Sequence, residues 1–362
     1  MTLFEQLCYE TMIFKWGPSN FYNFARSAVD RSRSRSYVWN GDSHSNYSGL
    51  AYSITSGIRA GLVGFPVWSS DTGGYIRGLN DPAEDLWARW MWFSTFSPVY
   101  EIMIGTNHTP WYPPYTSDLV SVLKETANLH HDMLPYIKSY THVAAETGLP
   151  IIRAAFLEAP FDDQTWGIGD AYFFGKELYV APIASEDGDR TVYFPDVDAY
   201  ITNTVANWNT AMNADANKGG SGRRYLEYFN KTSVYSPGQT INVTYDVHSV
   251  PVYVLEGSIV PRGDIYQGNN KWTENWIPEL RIEVYPSFEV GESQFVYFDG
   301  KNTREVEICV STRKKGGIVE VAYGDLGVGG MFVVFSKEGQ RNITIEEGGG
   351  KVVLEAVVSL FD

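Results

Sequence analysis

Helical periodicity ends at Pro150. Before it, short apolar runs alternate with helical stretches; after it, short β-rich runs follow one another between Gly, Asp and Asn turns. One layered architecture does not hold both patterns, so the chain is expected to divide into an α/β part and an all-β part. In the first part Phe21–Ala25, Ser36–Trp39 and Leu62–Trp68 are strand candidates. Tyr47–Ala60 carries Leu50, Ile54 and Ile58 at a helical interval of four. Asp81-Pro82 is placed to cap and open an aromatic helix through Phe93. Thr116 or Ser117 caps a helical stretch to about Glu146, which Pro135 kinks or divides and Gly148-Leu149-Pro150 stops. Strand–helix alternation with polar residues just past the strand ends implies parallel strands. Three or four such units cannot close an eight-unit barrel.

Beyond Pro150 the strand candidates are Tyr179–Ile183, Thr191–Phe194, Thr240–Tyr245, Pro251–Leu255, Arg281–Tyr285, Gln294–Phe298, Glu305–Val310, Ile318–Val321, Met331–Phe335 and Lys351–Val358. They suggest one or two β-sandwiches, divided near Arg262–Asn269. The expected organisation is residues 1–149, 150–265 and 266–362.

Net charge narrows the partners. At −15 the surface repels phosphate backbones and anionic lipids, so neither nucleic acid nor a membrane is expected as a partner. No run approaches the ~18 apolar residues of a membrane span. The two cysteines, Cys8 and Cys309, read as free thiols rather than a bridge. His130-His131 has no carboxylate at zinc spacing, and no phosphate loop, dinucleotide motif or G-x-S-x-G element occurs. No metal or cofactor is expected. The N-terminus, MTLFEQLCYE, lacks the basic and apolar regions of a signal peptide. Five N-x-S/T sequons nevertheless occur, at Asn46, Asn107, Asn230, Asn242 and Asn342. They suggest the later part of a longer secreted or secretory-pathway precursor.

In a parallel α/β barrel the reactive groups stand at the C-terminal ends of the strands. Three such ends are legible: Arg26-Ser27, Asn40-Gly41-Asp42, and Asp71-Thr72-Gly73-Gly74-Tyr75. One cation and two carboxylates, with Trp39 and Trp68 beside them, suit a neutral polyol such as a sugar. The 11 Trp, 24 Tyr and 19 Phe supply both core and flat faces for sugar rings. Taken locally, Asp42 and Asp71 also read as turn formers and Arg26 as a surface charge.

The segment Tyr37–Tyr75 resembles the signature of glycoside hydrolase family 31, in which W-x-G-D opens the segment and D-x-G-G-[FY] closes it. Here these are Trp39-Asn40-Gly41-Asp42 and Asp71-Thr72-Gly73-Gly74-Tyr75, with the two aspartates 29 positions apart. The resemblance continues through Arg89-Trp90-Met91, Phe96-Ser97-Pro98, Gly175–Ile183 and Pro251–Arg262, so it spans most of residues 10–265. It implies the C-terminal part of a (β/α)8 TIM barrel followed by two all-β sandwich domains, an α/β fold class overall.

The resemblance also implies chemistry. Asp42 takes the place of the general acid/base, Arg26 that of the arginine contacting the sugar, and Trp39 that of the tryptophan lining the subsite. Asp71 and Tyr75 fall on the D-x-G-G-aromatic element and are expected to contact substrate. The family's sugar-binding histidine aligns with Met103, and His108, five positions on, is a displaced candidate. The family's nucleophile, in a D-x-N-E-like element at strand four, has no match in residues 1–25, where the first aspartate has not yet appeared (it is Asp30). The implied activity is that of a retaining α-glycosidase, α-glucosidase-like, acting on terminal bonds of an α-linked oligosaccharide, with the nucleophile half absent from this chain. The alternative is a non-catalytic carbohydrate-binding or complementing subunit, paired with the missing N-terminal half as a separate chain.

Overall fold

The structure, a computed structural model, describes residues 2–18, 21–78, 81–103, 109–199, 222–266, 277–289, 291–298, 305–314 and 317–361. The first part begins with helix α1 (Thr2–Trp16), which sequence pattern does not announce because its apolar residues point to several sides. Three parallel strands follow: β1 (Phe24–Ala25), β2 (Tyr37–Trp39) and β3 (Trp68–Ser69), adjacent in that order. Their register pairs Ala25 with Val38 and Trp39 with Ser69, which brings the three C-terminal ends abreast. Helix α2 (Tyr47–Leu62) links β2 to β3 and is capped by Asn46, whose side chain accepts from the Gly49 amide at 2.8 Å. One sequon asparagine is thus a helix cap. Leu50, Ile54 and Ile58 are all buried.

Helix α3 (Glu84–Thr95) starts later than Asp81-Pro82 implies. Ala83 stands at its N-cap with no side-chain hydrogen bond, and Glu84 and Asp85 occupy the first turn, where they oppose the positive helix end. Its aromatic residues Trp87, Trp90, Trp92 and Phe93 are all buried. Helices α4 (Ser117–Asp132) and α5 (Leu134–Thr147) divide at Met133, with Pro135 in the first turn of α5 and Gly148 closing it in a left-handed conformation.

The second part opens with β4 (Ile152–Ala154), followed by β5 (Tyr172–Phe174), β6 (Leu178–Val180) and β7 (Asp189–Tyr193). Next come β8 (Tyr225–Glu227), β9 (Val234–Tyr235), β10 (Thr240–Thr244) and β11 (Val252–Leu255). Six of these form one antiparallel sheet in the order β4-β5-β6-β11-β8-β9, and β7 and β10 form a ribbon. Both faces of the sheet are buried, so its strands read as continuous apolar runs. Tyr172, Phe174, Leu178, Val180, Val252 and Val254 share a core with the helices of the first part. The alternate residues Phe173, Tyr179, Tyr225 and Tyr253 pack with Val192 and Phe194 under the ribbon.

The last part is two four-stranded sheets. One holds β12 (Ile259–Arg262), β13 (Leu280–Val284), β17 (Gly330–Ser336) and β18 (Gly339–Thr344); the other holds β14 (Gly291–Phe298), β15 (Glu305–Lys314), β16 (Ile318–Tyr323) and β19 (Gly350–Glu355). Leu280, Ile282, Phe332 and Val334 from the first meet Phe295, Ile308, Val319 and Val321 from the second in one core. Strands β12 and β13, which flank residues 263–279, pair antiparallel within one sheet. Cys8 and Cys309 are both free.

Candidate active site

The three parallel strands deliver their polar ends to one place. Arg26 follows β1, and its guanidinium lies 3.2 Å from an Asp42 carboxylate oxygen at the end of β2. Both side chains keep solvent access, 57% for Arg26 and 35% for Asp42, so the pair can meet a ligand and exchange protons with it. Trp39, the last residue of β2, rests on Phe24 with ring centroids 5.0 Å apart. Gly41 adopts φ +73°, and a Cβ there would meet Arg26 Nε at 3.0 Å. The turn therefore needs glycine both for its backbone and for the approach of the arginine. Asn40 fixes the turn from behind, donating to Ser43 Oγ at 2.7 Å and to Ser53 Oγ of α2 at 2.8 Å.

The Asp71–Tyr75 turn beyond β3 is locked onto this loop. Ser43 carbonyl oxygen accepts from the amides of Tyr75 and Ile76, each at 2.8 Å, and Ser45 N–H donates to Ile76 O at 2.9 Å. Gly73 and Gly74 take φ +83° and +79°. A Cβ on Gly73 would lie 2.2 Å from the Trp87 ring, and one on Gly74 2.7 Å from the Ser45 backbone. The paired glycines let the chain turn left-handed in a slot between α3 and the Asp42 loop. Helix α3 backs the turn further: Trp90 Nε1 donates to Ser70 Oγ at 3.0 Å, and the Thr72 and Ser94 hydroxyls are 2.7 Å apart.

Asp71 itself is almost fully enclosed, at 1% exposure. Burial first, and the Asp42 charge second, push its carboxyl up to about 6, against the opposing pull of Arg26 and Arg77. Its Oδ1 has no hydrogen-bond partner. Arg77 stacks on the Trp87 ring at 5.1 Å and donates to Gly74 O at 3.2 Å. Burial draws that guanidinium below its ordinary value, with Tyr115 and Asp71 opposing the shift. Tyr75 stands at the rim, 37% exposed.

A fourth strand position carries a residue that sequence reasoning passed over. Glu101 forms a parallel bridge with Asp71, and its carbonyl accepts from Thr72 N–H at 3.2 Å. Burial pushes its carboxyl up to about 7; a hydrogen bond with Ser69 opposes this and the Asp71 charge adds to it. The available signal was its place directly after the apolar pair Val99-Tyr100, a strand end too short to stand out by pattern. Met103, on the same stretch, is exposed at 39%. His108 lies outside the described residues. The structure thus brings Arg26, Trp39, Asp42, Asp71 and Tyr75 to the C-terminal ends of the parallel strands and adds Glu101 beside Asp71. An exposed carboxylate paired to a guanidinium, with carboxyls near neutrality and an indole alongside, is equipped for proton exchange on a neutral polyhydroxylated ligand.

Residues 2–140 match the family model described as Glycosyl hydrolases family 31 TIM-barrel domain, and residues 148–260 that of the Glycosyl hydrolase family 31 C-terminal domain. An alpha-xylosidase of Emericella nidulans is 28% identical over 323 residues, covering 88% of this chain and 38% of that protein. An Aspergillus oryzae alpha-glucosidase is 26% identical over 259 residues, 71% of this chain and 24% of its own length. The chain therefore spans well under half the length of the curated relatives it matches. Among solved structures, the Flavobacterium johnsoniae dextranase complexed with isomaltotriose superposes with a TM-score of 0.75 at 21% identity, over 92% of this chain and 40% of that one. That likeness speaks for the fold. Two family models laid end to end, each on the part of the chain whose architecture it describes, identify this protein as a member of glycosyl hydrolase family 31.

Proposed function

We propose that the chain carries the acid/base side of the active site of a retaining α-glycosidase acting on terminal α-glucosidic or closely related bonds. The observation that carries this is the 3.2 Å pairing of Arg26 with a half-exposed Asp42 at adjacent parallel strand ends. Asp42 is solvent-accessible while Asp71 is enclosed, and access to solvent is what a group that gives and then retakes a proton needs. It protonates the departing glycosidic oxygen while a second carboxylate attacks the anomeric carbon. Once ionised, it takes a proton from the water that releases the sugar. In a retaining enzyme the two carboxyls stand about 5–5.5 Å apart. The nucleophile is assigned to a barrel strand beyond the three parallel strands described here, on the same polypeptide or on a complementing one. Arg26 and Asp71 orient hydroxyls, Trp39 supplies an apolar wall and Tyr75 borders the entrance. The names of the relatives, an alpha-xylosidase and alpha-glucosidases, support this substrate class. The sequons support passage through a secretory route.

The test is the leaving group. In the enzyme with its barrel complete, Asp42→Asn should cut kcat/KM on a natural disaccharide by on the order of 10²–10⁴. A substrate with an activated phenol should lose far less in this parameter, because a phenolate departs with little protonation. Equal losses on both substrates would reject the assignment.

A further inference from the structure

Glu101, half-buried with one enclosed carboxyl oxygen, is a carboxyl that the proposed reaction leaves idle. It stands on the strand position next to Asp71, and the parallel bridge between them aligns the two residues across the sheet. Paired residues on neighbouring strands project to the same face, so the two carboxyls lie side by side, and Asp71 in turn feels the charges of Asp42 and Arg26. Each has one oxygen in deficit: Asp71 Oδ1 and Glu101 Oε1 are both buried with no hydrogen-bond partner. The Ser69 hydroxyl, which also donates to Val99 O at 3.1 Å, engages the Glu101 carboxyl. Among the described residues no cation is identified at Glu101 as Arg26 and Arg77 are at Asp71. Two adjacent buried acceptors without donors are an uncommon arrangement, and a ligand bearing donors removes the deficit.

We propose that Glu101 is a specificity-determining residue of this site, its free carboxyl oxygen accepting from a sugar hydroxyl adjacent to the one that Asp71 accepts from. The proposal rests on the glycosidase function argued above. Its chemistry is that of a vicinal diol received by two carboxyls on neighbouring strands. Burial raises both carboxyls, Asp71 to about 6 and Glu101 to about 7, so neither site favours a full unmet charge, and a neutral hydroxyl donor suits the pair. A donor reaching either oxygen favours its ionised form. A site built to take a hydroxyl discriminates strongly against a sugar that lacks it, since the acceptor is then left unmet.

The experiment uses the enzyme with its barrel complete, assayed on an aryl α-glucoside and its 2-, 3-, 4- and 6-deoxy analogues, in wild type, Glu101→Gln and Glu101→Ala. Removing the hydroxyl that Glu101 receives should cost wild type tenfold or more in kcat/KM and cost Glu101→Ala less than threefold. The loss in Glu101→Ala should fall on one ring position only. Glu101→Gln, which keeps shape and one acceptor oxygen, should lie between, and its melting temperature guards against misreading a folding defect. The same deoxy penalties in wild type and both folded variants would overturn the role of Glu101 while leaving the glycosidase function intact. A wild-type enzyme that neither cleaves nor binds the parent glucoside would overturn the function itself and this inference with it.

Discussion

Asp71 and Glu101 bind protons more tightly in the folded protein than in the unfolded chain, so their effect on stability has a definite sign. Asp71 moves from 3.8 to about 6 and Glu101 from 4.5 to about 7. Between about pH 4 and 7 the native state holds the extra protons, and stability falls as pH rises through that window. Glu101→Gln removes one contributor. We expect the variant to gain up to about 3 kcal/mol over wild type in going from pH 4 to pH 8, by denaturant unfolding. An unchanged difference across that range would mean that Glu101 ionises normally. Sequence reasoning reached Asp42, Asp71 and Arg26 because Gly and polar residues mark strand ends. It missed Glu101 because nothing local distinguishes a strand end after a single apolar pair; the Asp71 bridge that reveals it is a contact between segments 30 positions apart.

At the scale of elements, the Asp71–Tyr75 turn and α3 act as one piece. The turn has Trp87 beneath it, Ser45 above it and side-chain bonds from Trp90 and Ser94. Gly73→Ala should cost more than the ~1 kcal/mol of an ordinary left-handed substitution, because the Trp87 ring must also move. Thermal unfolding reads this directly, and a Tm within 1–2 °C of wild type, roughly the scatter of a neutral surface change, would contradict it. The strands with alternating or branched apolar runs were legible, as were α2 and the α4–α5 break. Several features were not, the short strands β4, β9 and β12 among them. Strand β18, GQRNIT, is polar on its outer positions at a sheet edge. The three-residue strands β5 and β8 are too short for a period to show. Helix α1 also carries apolar residues such as Met12, Ile13 and Trp16 away from the face of Leu3, Leu7 and Phe14, so its amphipathic signal is weak.

For the whole molecule the decisive feature is the core shared between parts. Sandwiches bury their own interiors, which suggests that the β-rich part stands alone. Here, however, Phe93 meets Tyr172, Phe96 meets Phe174, and Trp92 meets Phe229 edge-on, while Trp92 Nε1 donates to Val247 O at 3.0 Å. A protein starting at Pro150 would expose that aromatic face. We expect it to bind an apolar dye and to melt below the 362-residue chain; a dye-free, equally stable product would contradict the shared core. The same scale governs activity. Three parallel strands with an open edge at β1 leave α1 and its apolar residues uncovered, so the chain by itself should show no turnover of an aryl α-glucoside.

The central claim, that Asp42 is the proton relay, is tested most directly by chemical rescue. On the proposed mechanism, Asp42→Asn in the enzyme with its barrel complete should still form the glycosyl intermediate from an activated aryl glycoside but lack the base for its hydrolysis. Azide attacks without needing deprotonation, so it should restore turnover and yield the α-glycosyl azide. Asp71→Asn, proposed to lose only a hydroxyl contact, should gain nothing from azide. Rescue of Asp71→Asn with none of Asp42→Asn, or a β-glycosyl azide as product, would contradict the account.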